Sequence, residues 1–240
     1  MKSKNIWEVN PILREEAKFG EGTIFSDFNK VWITGVVEQE FKFSHQILGE
    51  SFYETKVRVK RLSGTEDHIP VVISDTRRKR LRGSLKGKKV EVGGKFRSYN
   101  ELSQEGKLHV KLFLFVSVLN VHKTDESLVD ELDENMIYLK GNLCKAPSYR
   151  VSALSGTPLT EIMVAVDRNY SKSDYLPCIA WKNMALKARD LETGDGIELY
   201  GRVQSRMYFK RFSPESEEGE YRETYEVSIL RLKRVEEDWK

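Results

Sequence analysis

The sequence predicts an all-β chain of two tandem five-stranded barrels, each with a short helix between its third and fourth strands. Three observations predict it. Apolar and polar residues alternate at period two through much of the chain, as half-buried strands require. The same order of segments occurs twice. An acidic stretch with little β character, from Thr124 to Glu134, separates the two copies. The expected organisation is an N-terminal extension over residues 1–28, a first barrel over 29–123, a linker over 124–134, a second barrel over 135–235 and an acidic end over 236–240.

The elements follow in order. The extension holds Trp7, Ile12, Leu13, Phe19, Ile24, Phe25 and Phe28, and so much apolar material is expected to pack on a barrel or a partner. Each repeat opens on an Asn, an alternating strand and a Gly: Asn29 to Gly35 and Asn135 to Gly141. The glycines allow a strand to bend sharply. Long alternating strands follow, carrying Thr55, Val57 and Val59 in one repeat and Ile162, Val164 and Val166 in the other. Next comes a short strand that begins at an acid, Asp67 or Asp174. A helix is expected over Lys182 to Leu191, where Met184, Ala185 and Ala188 have helical spacing, and a poorer one over Arg77 to Leu85. Each repeat closes with a Gly-led strand, from Gly87 or Gly194, a polar hairpin and a last long strand ending at Val121 or Val235. This is the order of the oligonucleotide/oligosaccharide-binding (OB) barrel.

Composition narrows the function. Among 240 residues, 39% are hydrophobic and 32% charged, which fills two small cores better than one large one. With 16 Gly and 6 Pro the chain is not collagen-like, and 10% aromatics with regular alternation argue against disorder. No 18-residue apolar run predicts a membrane span, and no apolar stretch behind Met1-Lys2-Ser3-Lys4 predicts a signal peptide. Cys144 and Cys178 are too few for a disulfide framework, so a reducing, cytoplasmic setting is expected. The net charge of +3 conceals +8 over residues 1–124 and −5 over 125–240. Many of the later acids lie in linker, loop and tail, and residues 135–212 carry +5. Two basic cores suit a polyanionic partner, although lysines also serve solubility alone.

The second repeat carries the more specific pattern. Asp174-Tyr175-Leu176-Pro177-Cys178-Ile179-Ala180-Trp181, a helix, then Gly194 to Tyr208 and Tyr221 to Val227 together resemble the bacterial single-stranded DNA-binding protein (SSB) family over about residues 135–235. The resemblance implies binding of single-stranded DNA without strong sequence preference, in DNA replication, recombination or repair. It also implies assembly of four barrels, here a homodimer of two-barrel chains, in a nucleoid-associated bacterial setting. Motif by motif, the family's stacking places hold Tyr170, Tyr175, Trp181 and Tyr208. Aromatic faces take unpaired bases, and the neighbouring Arg168, Lys172, Lys182, Arg202, Arg206, Lys210 and Arg211 are candidates for phosphate. Tyr175 and Trp181, six apart, share a strand face under regular alternation. Trp181 has an alternative role as a core residue at a strand end.

The first repeat departs from that pattern. Its corresponding places hold Arg61 or Leu62, His68, Ser74 or Asp75, and Glu101, so a stacking surface is not expected there. Arg77, Arg78, Lys79 and Arg80 form an auxiliary basic cluster able to track phosphate or simply to be solvated. Lys111 to Val116 is apolar on both strand faces and asks for a cover. Other signals fail: the four His and two Cys lack metal-ligand spacing, and Gly83 to Lys88 lacks the phosphate-loop pattern. Neither a cofactor, a metal nor catalysis is expected. The family's tethered acidic tail, which recruits replication or repair proteins, has only a short counterpart in Glu236-Glu237-Asp238-Trp239-Lys240. The alternative reading is an OB-fold accessory protein of replication restart or of a mobile element, acting mainly through protein–protein contact.

Overall fold

The computed structural model describes residues 29–102, 108–122, 133–153, 155–168, 172–213 and 216–235. The expectations for the extension, for most of the linker and for the acidic end lie outside the described residues, as does Tyr170.

The first repeat runs β1 (Asn29–Val37), β2 (Lys42–Ile47), β3 (Glu50–Lys60), β4 (Glu66–Ser74), α1 (Asp75–Arg78), β5 (Lys89–Leu102) and β6 (Leu108–Val121). The second runs β7 (Asn135–Leu143), β8 (Ser148–Val151), β9 (Pro158–Arg168), β10 (Lys172–Trp181), α2 (Asn183–Arg189), β11 (Gly196–Arg211) and β12 (Gly219–Val235). In the first, β1 pairs with β3 and β5, β5 with β6, β6 in parallel with β4, and β4 with β3. In the second, β7 pairs with β9 and β11, β11 with β12, β12 in parallel with β10, and β10 with β9. Both are closed five-stranded barrels in the OB order, as the sequence predicts.

Period-two alternation fills the cores. Val57, Val59, Ile69, Val71, Leu112, Leu114 and Val116 point into the first, and Ile162, Val164, Val166, Leu176, Cys178 and Ala180 into the second. Gly141 sits where β7 crosses β9, and a Cβ there would stand 2.2 Å from the Ala165 carbonyl oxygen. A side chain would push the strands apart, so glycine permits the closure.

Several details differ from the sequence expectation. The helix expected over Arg77 to Leu85 is a single turn, α1, with no buried residue. It lacks an apolar stripe, so nothing extends it over the barrel. The longer expected helix is present as α2, with Ala185 and Ala188 buried. Two strands were not anticipated: β2 and β8 add outer ribbons to β3 and β9. The Lys111–Val116 strand is only partly covered by its own barrel, with Phe113 and Phe115 half-buried on its outer face. Its inner residues are buried, and the Phe52 ring lies 5.8 Å from that of Phe115.

The barrels are joined edge to edge. β1 and β7 pair antiparallel from Asn29↔Leu139 to Ile33↔Asn135, giving one continuous 12-stranded sheet. The central pair is Val31↔Ile137, and each of these lies two residues after the Asn that opens its repeat. A pseudo-two-fold axis therefore passes through that pair. Side chains obey it: Asn29 exchanges hydrogen bonds with the Phe96 backbone, and Asn135 does the same with Val203. Among the described residues no helix is long and apolar enough to cross a membrane.

Candidate nucleic-acid interface

β10 carries two of the sequence-derived ring positions. It pairs with β9 in unbroken register, Tyr175 opposite Ala165 and Trp181 opposite Leu159. Leu176, Cys178 and Ala180 point inward and are buried, so Tyr175, Pro177, Ile179 and Trp181 point outward. The two ends of this row are open: Tyr175 is 51% exposed and Trp181 37%. Trp181 is therefore an outward ring at a strand end, and the core alternative falls. Lys172 and Lys182, at the two ends of the strand, are exposed. Six strand steps separate the rings by roughly 20 Å; between them Pro177 is half-buried and Ile179 is buried.

Tyr208 stands elsewhere. It lies on the β11–β12 arm, which extends beyond the barrel, and it is 36% exposed. The arm bears Arg206, Lys210 and Arg211, all exposed, as well as the exposed Met207, Phe209, Phe212 and Tyr221. Phe209 and Tyr221 stack edge to face at 5.3 Å. The arm reaches to the first barrel, where Lys56 Nζ donates to Glu223 Oε2 at 2.6 Å and the Ser205 amide donates to Asp67 at 2.8 Å. Tyr208 thus belongs to a different part of the surface from the Tyr175–Trp181 row.

The cations also separate. Arg202 is half-buried, and burial together with the nearby Arg61 guanidinium holds its pKa below the usual arginine value. Arg206 lies 3.7 Å from the buried Glu226 but keeps half its surface. Arg168 is committed to protein: it donates to the Ser98 carbonyl at 2.6 Å and to Asp174, which is fully buried. Its sequence-derived place among the phosphate contacts is taken by this structural partnership. In the auxiliary cluster, Asp75 pairs with Arg78 at 2.9 Å and with Lys79 at 2.6 Å, and Arg77 donates to the Ser117 carbonyl. Arg80 remains exposed.

Sequence reasoning missed two features. Rings do occupy the first barrel, but on other strands. His45 and Phe52 stack at 4.9 Å, Phe43 meets Tyr53 edge to face at 6.0 Å, and Arg78 lies 4.1 Å over the Tyr53 ring. The second is the barrel–barrel contact beside Tyr175. Asp174 accepts from Arg97 Nη1 and from the Ser98 amide, each at 2.7 Å, and the Tyr175 amide donates to Ser98 Oγ at 2.9 Å. Across the pseudo-two-fold axis, Asp67 accepts from Arg61 and from the Ser205 amide, and the His68 amide donates to Ser205 Oγ at 3.0 Å. The signal was available: β4 and β10 each carry an Asp near the start, Asp67 and Asp174, and serines recur at matching places in the two repeats.

Comparison with known proteins gives a consistent picture. The sequence profile of the Single-strand binding protein family matches residues 134–235. A single-stranded DNA-binding protein of Clostridium tetani is 32% identical over 108 residues, 42% of this chain and 70% of that protein. Single-stranded DNA-binding protein 2 of Chlorobaculum tepidum is 26% identical over 107 residues, 41% of this chain and 68% of that protein. Among solved structures, a deletion mutant of the single-stranded DNA binding protein from Thermus aquaticus superposes with a TM-score of 0.66 at 20% identity. That likeness is one of fold, and it covers 88% of this chain and 96% of the other, hence both barrels.

Proposed function

The chain belongs to the single-strand binding protein family, and from that premise we propose that it binds single-stranded DNA without strong sequence preference. Bases stack on exposed rings, and Lys and Arg neutralise phosphates. The observation that carries this reading is the outward row of β10, with Tyr175 and Trp181 open at its two ends and Lys172 and Lys182 beside them. By its place in the sequence, between β9 and β10, Tyr170 joins this stacking set. Tyr208, with Arg206, Lys210 and Arg211, extends the path along the β11–β12 arm toward the first barrel. Arg202 contributes at its margin. The protein acts in DNA replication, recombination or repair, as a cytoplasmic homodimer.

Stacking and phosphate contact both ignore base identity, so affinity follows salt and strand availability. The test is a titration with dT oligomers at two salt concentrations, read by Trp fluorescence. The expected log–log slope is roughly −0.7 per phosphate neutralised. Duplex DNA hides its base faces and should bind far more weakly. Equal affinity for duplex and single strand at one salt concentration refutes the stacking reading.

A further inference from the structure

We infer that the first barrel builds part of the second barrel's binding face: Ser98 and Arg97, on β5, are positioning residues for the Tyr175 ring. This rests on the reading of Tyr175 as a base-stacking residue. Tyr175 begins the outward row, and its ring is open to solvent. β9 pairs with this strand on one edge, and what holds the Tyr175 amide on the other edge comes from the other repeat. That amide donates to Ser98 Oγ at 2.9 Å. The preceding residue, Asp174, is fully buried and is held by the Ser98 amide at 2.7 Å, by Arg97 Nη1 at 2.7 Å and by Arg168. Arg168 in turn donates to the Ser98 carbonyl at 2.6 Å. Ser98 therefore engages Asp174 through its amide and Tyr175 through its hydroxyl, while its carbonyl holds the Arg168 that also binds Asp174.

A buried carboxylate with several charge-assisted partners has little freedom to move. The stretch from Asp174 to Tyr175 is thus pinned in one place relative to the first barrel. A stacking platform gains affinity from such preorganisation, because less freedom is lost when the base docks. The equivalent latch on the other side, around Asp67 and Ser205, holds His68 at the place of Tyr175. The two latches match, but one of them presents a tyrosine ring to the solvent.

The test is a double-mutant cycle in the full chain, with dT affinity as the readout. Tyr175→Ala should weaken binding roughly 5- to 150-fold, the range for one lost base stack. Ser98→Ala should weaken it about 3- to 10-fold in the native background, the scale of one hydrogen bond. In the Tyr175→Ala background the same change should have no further effect, and Ser98→Thr, which keeps the hydroxyl, should restore affinity in the native background. Equal losses from Ser98→Ala in both backgrounds, or no loss in either, overturn the inference. Unchanged affinity in Tyr175→Ala alone refutes the stacking role of Tyr175 instead. If Ser98→Ala does not fold, Arg97→Gln takes its place in the cycle under the same criteria, with Arg97→Lys as the rescue.

Discussion

Trp181 separates two physical roles that sequence alone leaves open. An outward ring that receives a base should lose about 1–3 kcal/mol of binding when truncated, with little change in folding. A core tryptophan would lose about 3–5 kcal/mol of stability. Trp181→Ala is expected to follow the first pattern, and dT should quench Trp181 fluorescence. Oligomer titration and urea unfolding of the same variant check both halves. The cysteines make a second residue-scale case. Cys178 is buried inside the second barrel, and burial raises its thiol pKa far above the usual value, so little reactive thiolate forms. Cys144 is exposed. Alkylation of the native protein should label Cys144 alone, with Cys178 reacting only on unfolding, as mass spectrometry would read. The facing of Tyr175 and Trp181 was legible because strand alternation is local. The commitment of Arg168 was not, because a charge in a sequence does not name a partner some 70 residues away.

At the scale of elements, long alternating strands were legible and short polar ones were not. β8, Ser148–Val151, is exposed throughout, so it has no buried side to generate a period. β2 is a similar outer ribbon. The arms beyond the barrels were legible as polar hairpins but not as latches, since their length does not reveal what they touch. Their latching has an energetic consequence. Asp67 and Asp174 are fully buried; Asp67 gathers Arg61 of its own barrel and the Ser205 amide from across the junction, and Asp174 gathers Arg168 of its own barrel and, from across the junction, Arg97 and the Ser98 amide. Removing one partner of a buried ion pair leaves the other charge uncompensated and costs about 3–5 kcal/mol. Asp174→Ala and Asp67→Ala should each lower urea-unfolding stability by that amount, while Asp190→Ala, at an exposed pair beside α2, should change it by less than about 1 kcal/mol. Similar stability in all three variants would mean that the latches bear no load.

For the whole molecule, the two repeats were legible but their joining was not, because β1 and β7 look like ordinary opening strands until their edges are paired. That pairing predicts the behaviour of a single repeat. The pseudo-two-fold axis passes through Val31↔Ile137, which are equivalent residues, so β7 has the register to pair with a second β7 about Ile137. In residues 125–240 alone, the β7 edge is open, and Asp174 loses Ser98 and Arg97. An open edge and a buried, half-satisfied carboxylate both favour association. Ser205 stands where Ser98 does in the other repeat, so a second copy can offer its amide to Asp174 and its hydroxyl to the Tyr175 amide. Arg97 has no such replacement, because Gln204 occupies the place before Ser205. The fragment is therefore expected to sediment as a homodimer, less stable than the full chain, and to bind dT as a dimer. Met136→Pro in the fragment removes an amide on the open β7 edge, outside the barrel core, and should drive it to monomer. Sedimentation of the fragment and its variant with and without dT checks this. A fragment that is monomeric and keeps the full chain's dT affinity would show that the second barrel needs neither its edge partner nor the latch from the first.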